Sequence, residues 1–129
     1  MREYGFNLGV AFQLVDDLLD FTGDAGAVGK PIGSDLREGK VTLPLIHLLQ
    51  QNEEVGGRIV RDIIGSKTVA PGQWEELLRT LKEHRSIDYA YRRAADFAER
   101  AKKPLYAFPA SPEREALLAL PDYILSRDR

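Results

Sequence analysis

The sequence contains no cysteine, and neither sign of charge is in clear excess over its 129 residues. The lack of cysteine excludes disulfides, thiolate zinc sites and cysteine nucleophiles. The 18 lysine and arginine residues face 20 aspartate and glutamate residues, so no basic surplus indicates nucleic acid as a partner. No apolar run approaches the roughly 18 residues of a membrane span, and the first residues lack the layout of a signal peptide. We therefore expect one soluble, cytoplasmic unit covering residues 1–129, which is not an integral membrane protein.

Signals for β-strands are missing as well, since no segment alternates apolar and polar residues between turns. Helical periodicity dominates and predicts an all-α fold. Thr42 and Ser86 are predicted to cap helices, and Pro104 and Pro121 to break or kink them. The predicted helices cover about residues 3–21, 43–51, 55–64, 73–84, 87–103 and 112–126.

The first predicted helix carries an acidic stripe within the stretch FQLVDDLLD. At about 100° per residue, Gln13, Asp16, Asp17 and Asp20 fall within an arc of roughly 100°, and Gly9 lies on the same line. The rest of the circumference is apolar, which indicates a helix that is buried on most sides. Carboxylates spaced three and four residues apart repel each other, so the stripe predicts a cation nearby.

That cation is either a basic side chain or a metal ion, and both alternatives stay open on the stripe alone. Solvated or statically paired aspartates are the plainer interpretation of DDxxD. The apolar surroundings favour a divalent metal site that opens onto an internal cleft. Carboxylate ligands without histidine or cysteine favour Mg²⁺ or Mn²⁺. A calcium-binding loop is disfavoured, because its characteristic ligand spacing is missing after Asp20.

A long segment rich in glycine follows the stripe. Residues 22–41, TGDAGAVGKPIGSDLREGKV, contain five glycines together with Lys30, Arg37 and Lys40. Glycines let the backbone approach a ligand closely, and lysines beside a metal site suit phosphate oxygens. The stripe and this segment together predict a metal-bridged diphosphate. His47 and Trp74, by contrast, are expected to be structural residues of the helices that contain them.

The stretch YGFNLGVAFQLVDDLLDFTGDAGAVGKPIGSDLREGKVTLPLI resembles the trans-polyprenyl diphosphate synthases. Its first part is similar to the second aspartate-rich motif of that family, FQxxDDxxD, and its second part to the segment GKxxGxDLxxGKxTLP. The resemblance implies an isoprenoid synthase-type helical bundle of which this chain is roughly the C-terminal two-fifths. The first aspartate-rich motif of the family has no counterpart here. The isolated chain is therefore expected to be inactive.

Matched residue by residue, the resemblance implies a magnesium site and a substrate site. Asp16 is the implied ligand of one Mg²⁺, with Mn²⁺ as a substitute, while Asp17 and Asp20 hold its water molecules. The residues implied to be catalytic and to contact the substrate diphosphate are Gln13, Lys30 and Lys40. The implied reaction is the head-to-tail condensation of isopentenyl diphosphate with an allylic prenyl diphosphate. The complete family protein is expected to be a homodimer.

Two other functions remain as alternatives. A class I terpene cyclase also ionises prenyl diphosphates with magnesium, but the downstream Asn/Asp, Ser/Thr and Glu triad that it requires is not found. A non-catalytic helical subunit or fragment that binds diphosphate is the alternative outside enzymes. The intact DDxxD motif counts against that interpretation.

Overall fold

The computed structural model describes residues 2–22 and 34–126, without the side chains of Thr22, Ser34 and Pro71. These residues form helices and contain no β-strand, which confirms the predicted all-α class. None of the described helices is both long and apolar enough to cross a membrane. The helices are α1 (Arg2–Thr22), α2 (Ser34–Arg37), α3 (Leu43–Gln51), α4 (Glu53–Ser66), α5 (Pro71–Glu83), α6 (Ser86–Lys102), a 3-10 helix (Lys103–Ala107) and α7 (Pro112–Ser126).

The contacts divide the chain into two compact units. The first unit comprises Met1–Asp16 and Tyr91–Arg129, and the second comprises Asp17–Ala90. The boundary falls within helices α1 and α6, so each of these helices contributes to both units. The interpretation of residues 1–129 as one unit stays a prediction.

The second unit has an apolar core built from the end of α1 and from α2 to α5. Trp74 stacks on Phe21 with ring centroids 5.6 Å apart and the planes inclined by 3°. Trp74 is therefore part of the packing, as predicted, and offset aromatic stacking of this kind adds to the gain from burial. The buried residues of this core are Phe21, Leu36, Leu45, Leu48, Ile59, Val60, Ile63, Leu77 and Leu81.

His47 and Ser86 form a polar contact between α3 and α6 within the second unit. The His47 Nδ1 and Ser86 Oγ atoms lie 2.8 Å apart, and the His47 ring stacks on Tyr89 at 4.4 Å. His47 thus has the structural role that was predicted. The prediction that Ser86 caps α6 is wrong, because Ser86 is the first helical residue and Tyr89 donates its N–H to the Arg85 carbonyl.

Thr42 stands at the N-cap position of α3, as predicted, and Pro44 lies in the first turn. Its side chain nevertheless makes no capping hydrogen bond. The hydroxyl oxygen is buried and has no hydrogen-bond partner among the described residues. The position of the helix start was therefore predictable, while the role of the hydroxyl was not.

The first unit is held by small side chains and by contacts to α7. Ala94, Ala98 and Ala101 of α6 are fully buried. Tyr4 donates its hydroxyl to the Leu117 carbonyl at 2.9 Å and so joins α1 to α7. Packing by alanine allows helix axes to approach closely, which suits this part of the molecule.

The ends of α6 and α7 follow local rules. Helix α6 ends at Lys102, and the 3-10 helix that begins at Lys103 contains Pro104. A break at this point was expected, because proline has no N–H to continue the α-helix. Ser111 accepts a hydrogen bond from the Arg114 N–H at 3.1 Å and so caps α7. Pro121 lies inside α7 and is buried.

An ion pair joins α6 to α7 within the first unit. The Lys102 Nζ atom lies 2.6 Å from Asp122 Oδ1, and this hydrogen bond raises the pKa of the Lys102 ammonium above its usual value.

The neighbouring glycines of α4 provide a test of the close packing between α3 and α4. A Cβ at Gly56 would lie 2.9 Å from Leu48 Cγ in the core, whereas a Cβ at Gly57 would meet the flexible end of Arg61 at 3.0 Å. We expect Gly56→Ala to lower the free energy of unfolding by about 1–3 kcal/mol. Gly57→Ala is expected to be neutral or to stabilise, because alanine favours the helix. Urea denaturation measures both, and equal effects would contradict the close contact.

Candidate functional site

The acidic stripe lies at the carboxyl-terminal half of α1, and its members differ in burial. As whole residues, Asp17 and Asp20 are 8% and 2% exposed, Asp16 is half-buried, and Gln13 is exposed. Asp17 and Asp20 therefore do not project into open solvent. Desolvation of a carboxylate is costly unless hydrogen bonds or cations compensate it, so the partners of these two residues decide what the cluster can do.

Lys40 is the basic partner that the structure places beside the stripe. Its Nζ atom lies 3.0 Å from Asp17 Oδ1 and 3.9 Å from Asp35 Oδ2. The two carboxylate side chains are 12% and 13% exposed, whereas the lysine side chain is 49% exposed. The ammonium thus sits on the solvent side of two shielded carboxylates. For Asp17, this is the pairing with a basic residue that was weighed against a metal ion.

Asp20 is held by the backbone of the segment that follows. The Asp35 N–H donates to Asp20 Oδ1 at 3.3 Å. This hydrogen bond offsets part of the cost of removing the Asp20 carboxylate from water. The structure therefore brings Asp17, Asp20, Asp35 and Lys40 together within the second unit.

The turn that carries Asp35 and Lys40 has a defined hydrogen-bond pattern. The Lys40 N–H donates to the Asp35 carbonyl at 2.9 Å, and the Gly39 N–H donates to the Leu36 carbonyl at 2.9 Å. Gly39 has a φ of 88°. These are the features of a Schellman motif, in which a left-handed glycine follows the last helical turn. The turn fixes the backbone of Lys40 directly against that of Asp35.

Asp35 and the short helix α2 were missed when the sequence was interpreted as a long glycine-rich loop. The signal was present in the letters SDLREG, where a helix-favouring turn with an acidic start ends in glycine. Its contact with Asp20 joins residues 15 positions apart, so helical periodicity could not reveal it. Arg37 lies in the same turn, and its Nε atom is buried without a hydrogen-bond partner among the described residues.

The other predicted site residues are Lys30, Gln13 and Asp16. Lys30 lies outside the described residues. On α1, Gln13 lies about one turn before Asp17, and Asp16 lies about one turn before Asp20. Gln13 and Asp16 both have interactions with other groups. Within residues 2–22 and 34–126, no group of three or more histidine, aspartate or glutamate side chains is arranged to hold a metal ion. The roles predicted for these residues stay predictions.

The donor set nevertheless fits a hard divalent cation. The groups on offer are carboxylate oxygens, and no histidine or sulfur atom lies in the stripe. Mg²⁺ typically takes one or two protein carboxylates and completes its octahedron with water and phosphate oxygens. A cage of three protein carboxylates is therefore not required. What the arrangement offers chemically is a set of shielded carboxylate oxygens with the Lys40 ammonium beside them.

The family model and the curated relatives that match this chain indicate the same family. The sequence model of a family described as "Polyprenyl synthetase" matches residues 1–81. Octaprenyl diphosphate synthase of Haemophilus influenzae is 40% identical over 122 residues, which cover 93% of this chain and 36% of the relative. Geranylgeranyl diphosphate synthase of Methanosarcina mazei is 36% identical over 128 residues, covering 99% and 38%. The chain spans about two-fifths of the length of the curated relatives that it matches.

Solved structures agree with this result. A polyprenyl synthase from Caulobacter crescentus, complexed with calcium and isoprenyl diphosphate, has a TM-score of 0.87 and 38% identity. The likeness covers 99% of this chain and 39% of that one. A geranylgeranyl pyrophosphate synthase from Corynebacterium glutamicum, complexed with isoprenyl diphosphate and magnesium, has a TM-score of 0.79 and 31% identity, covering 97% and 36%. The predicted isoprenoid synthase-type fold and the resemblance stated from the motifs are both confirmed.

Gly39 provides a test of the turn that positions Lys40. A Cβ at Gly39 would meet nothing within 4 Å, so any cost of Gly39→Ala comes from its backbone conformation alone. We expect a loss of about 1–2 kcal/mol in the free energy of unfolding, because alanine disfavours the left-handed region. Gly65→Ala is the matched control, since Gly65 is exposed in α4 and also meets nothing within 4 Å. Chemical denaturation should show no loss for the control, and a similar loss in both variants would contradict the analysis of the turn.

Proposed function

Because this chain belongs to the polyprenyl synthetase family, we propose that it supplies the second aspartate-rich half of a prenyltransferase active site. The whole protein condenses isopentenyl diphosphate head to tail with an allylic prenyl diphosphate, in isoprenoid biosynthesis. The observation that carries this proposal is the group of shielded carboxylates beside Lys40, in the segment that matches the family. The relatives are far longer than this chain, so the activity, substrates and homodimeric assembly of the whole protein are all part of the proposal.

The metal site of the proposal consists of Asp16, Asp17 and Asp20. Asp16, the most accessible of the three, ligates Mg²⁺ directly, and the more buried Asp17 and Asp20 hold its water molecules. Mn²⁺ is a chemically suitable substitute, because it shares the preference for carboxylate and water ligands. When bound, the ion supplies positive charge to the diphosphate leaving group. Two structural neighbours that contain calcium or magnesium together with isoprenyl diphosphate support this proposal.

The side chains of this chain then act on the substrate as follows. Lys30 and Lys40 contact the diphosphate of the allylic substrate, whose C–O bond breaks to leave an allylic cation and a diphosphate anion. Positive charge that is already aimed at the leaving group lowers the barrier, because no reorganisation is needed when the bond breaks. The side-chain amide of Gln13 presents its oxygen dipole to the cation. The double bond of isopentenyl diphosphate attacks the cation, and the new carbocation formed by this attack loses a proton to the released diphosphate, which gives the elongated prenyl diphosphate.

A cytoplasmic location, as expected from the sequence, is part of the same proposal.

Binding of diphosphate tests the site directly. We expect this chain to bind pyrophosphate or a bisphosphonate in a Mg²⁺-dependent manner, because the ion joins the carboxylates to the phosphate oxygens. Asp16→Ala and Lys30→Ala should each weaken binding more than about tenfold. Asp62→Ala, which removes an exposed aspartate of α4, is the matched control. Isothermal titration calorimetry with and without Mg²⁺ measures the affinities. Equal binding under both conditions would contradict the proposal that the ion joins the carboxylates to the diphosphate.

Catalysis by the isolated chain is expected to be absent. The second unit can account for one diphosphate site, whereas condensation requires two anionic substrates held in orientation, an effect worth about 7–11 kcal/mol of the barrier in favourable cases. Phe6, Phe12 and Tyr123 of the first unit are 66%, 44% and 65% exposed, so the isolated chain is also expected to self-associate.

The assay uses labelled isopentenyl diphosphate, an allylic diphosphate and Mg²⁺. It is run with this chain alone and with a separately produced segment that carries the first aspartate-rich motif. Product from the chain alone would show that its catalytic residues are sufficient by themselves. No product from a folded and associated pair would count against the prenyltransferase and favour the non-catalytic, diphosphate-binding alternative.

A further inference from the structure

Asp35 touches the site through three different atoms. Its N–H donates to Asp20 Oδ1 at 3.3 Å, and its carbonyl accepts the Lys40 N–H at 2.9 Å. Its carboxylate Oδ2 atom lies 3.9 Å from the Lys40 ammonium. The first two contacts belong to the backbone and survive a change of side chain. The third belongs to the carboxylate alone, so a substitution can separate it from the others.

The Lys40 ammonium lies near two carboxylates, at unequal distances. Asp17 is the nearer partner at 3.0 Å, and Asp35 is the farther one at 3.9 Å. A lysine ammonium on a long flexible stem can change partners by rotation about its side-chain bonds. If Asp17 becomes engaged with the water shell of a metal ion, the attraction between Asp17 and Lys40 weakens. Asp35 then remains as the anion that keeps the ammonium at the edge of the site.

We propose that Asp35 is a positioning residue of the diphosphate site, which acts by drawing the Lys40 ammonium away from Asp17. This inference rests on the proposed function, because it concerns the same metal and diphosphate. Without the Asp35 carboxylate, Lys40 loses one of the anions that attract it and competes more strongly with the metal ion for Asp17. With it, Lys40 is shared, and both Asp17 and the ammonium are available when the metal and the diphosphate arrive together.

Asp35→Asn is the informative substitution. Asparagine has nearly the same shape and keeps the backbone bonds to Asp20 and Lys40, but it removes the charge. We expect Mg²⁺-dependent pyrophosphate binding to weaken about tenfold, the lower end of the usual effect of residues that support metal sites. Asp88→Asn is the matched control, because Asp88 is an exposed aspartate in the first turn of α6. The control should bind within about twofold of the unmodified chain.

A double-mutant cycle tests whether Asp35 acts through Lys40. Calorimetry is carried out on the full chain and on the variants Asp35→Asn, Lys40→Met and the combination, each with pyrophosphate and Mg²⁺. The proposal expects Asp35→Asn to cost little once Lys40 is methionine. An equal fold-loss in both backgrounds would overturn it, since Asp35 would then act independently of Lys40. Absence of Mg²⁺-dependent binding in the unmodified chain would instead overturn the proposed function, and this inference with it.

Thermal unfolding without ligand separates positioning from a purely structural role. The proposal expects Asp35→Asn to unfold within a few degrees of the unmodified chain and to lose most of the stabilisation that pyrophosphate and Mg²⁺ provide. If Asp35→Asn does not fold, Asp35→Glu restores the charge and is expected to bind within about threefold. A tenfold loss in a folded Asp35→Glu variant would overturn the proposal, because the charge would then not be the property that matters.

Discussion

Burial of the Asp17 and Asp20 carboxylates among apolar neighbours is the constraint on which the second unit depends. A charged carboxylate that leaves water loses much of its solvation, and the loss must be offset by hydrogen bonds or by positive charge. The turn at residues 34–40 provides both, through the Asp35 N–H and the Lys40 ammonium. The helix and the turn therefore form one electrostatic structure, although they are separated along the chain.

The apolar core fixes the position of these polar partners. Asp20 is followed by Phe21, and Asp35 is followed by Leu36, and both of the following residues belong to the core of the second unit. Each polar contact is thus adjacent in sequence to a packed side chain. Because cores are close-packed and resist displacement, a core residue next to a site residue limits how far the site can move. Packing of Phe21 and Leu36 therefore holds Asp20 and Asp35 in position.

Sequence patterns predicted what depends on neighbouring residues and missed what depends on distant ones. The extent of α1 and the position of Thr42 before α3 follow from periodicity and local residue preferences, and they were predicted correctly. The hydroxyl of Ser86 contacts His47, which lies 39 positions away, so local rules assigned it the wrong role. The contact of Asp35 with Asp20 is non-local in the same way. The family motif includes Asp35 as a letter, but only the folded turn indicates what its atoms touch.

Lys40 is more exposed than the carboxylates beside it, and this difference gives an electrostatic reason why a metal ion and a diphosphate would bind together. Asp17 and Asp35 are shielded, while Lys40 is half exposed on the solvent side. A bare diphosphate that approached this site would meet the ammonium but also the carboxylates behind it, and repulsion would oppose close contact. A bare metal ion would find Asp17 already paired with Lys40. In the proposed site, the two ligands together remove both difficulties, since the ion satisfies the carboxylates and the diphosphate receives the ammonium. The proposal therefore expects binding of each ligand to strengthen binding of the other, and this coupling is reciprocal.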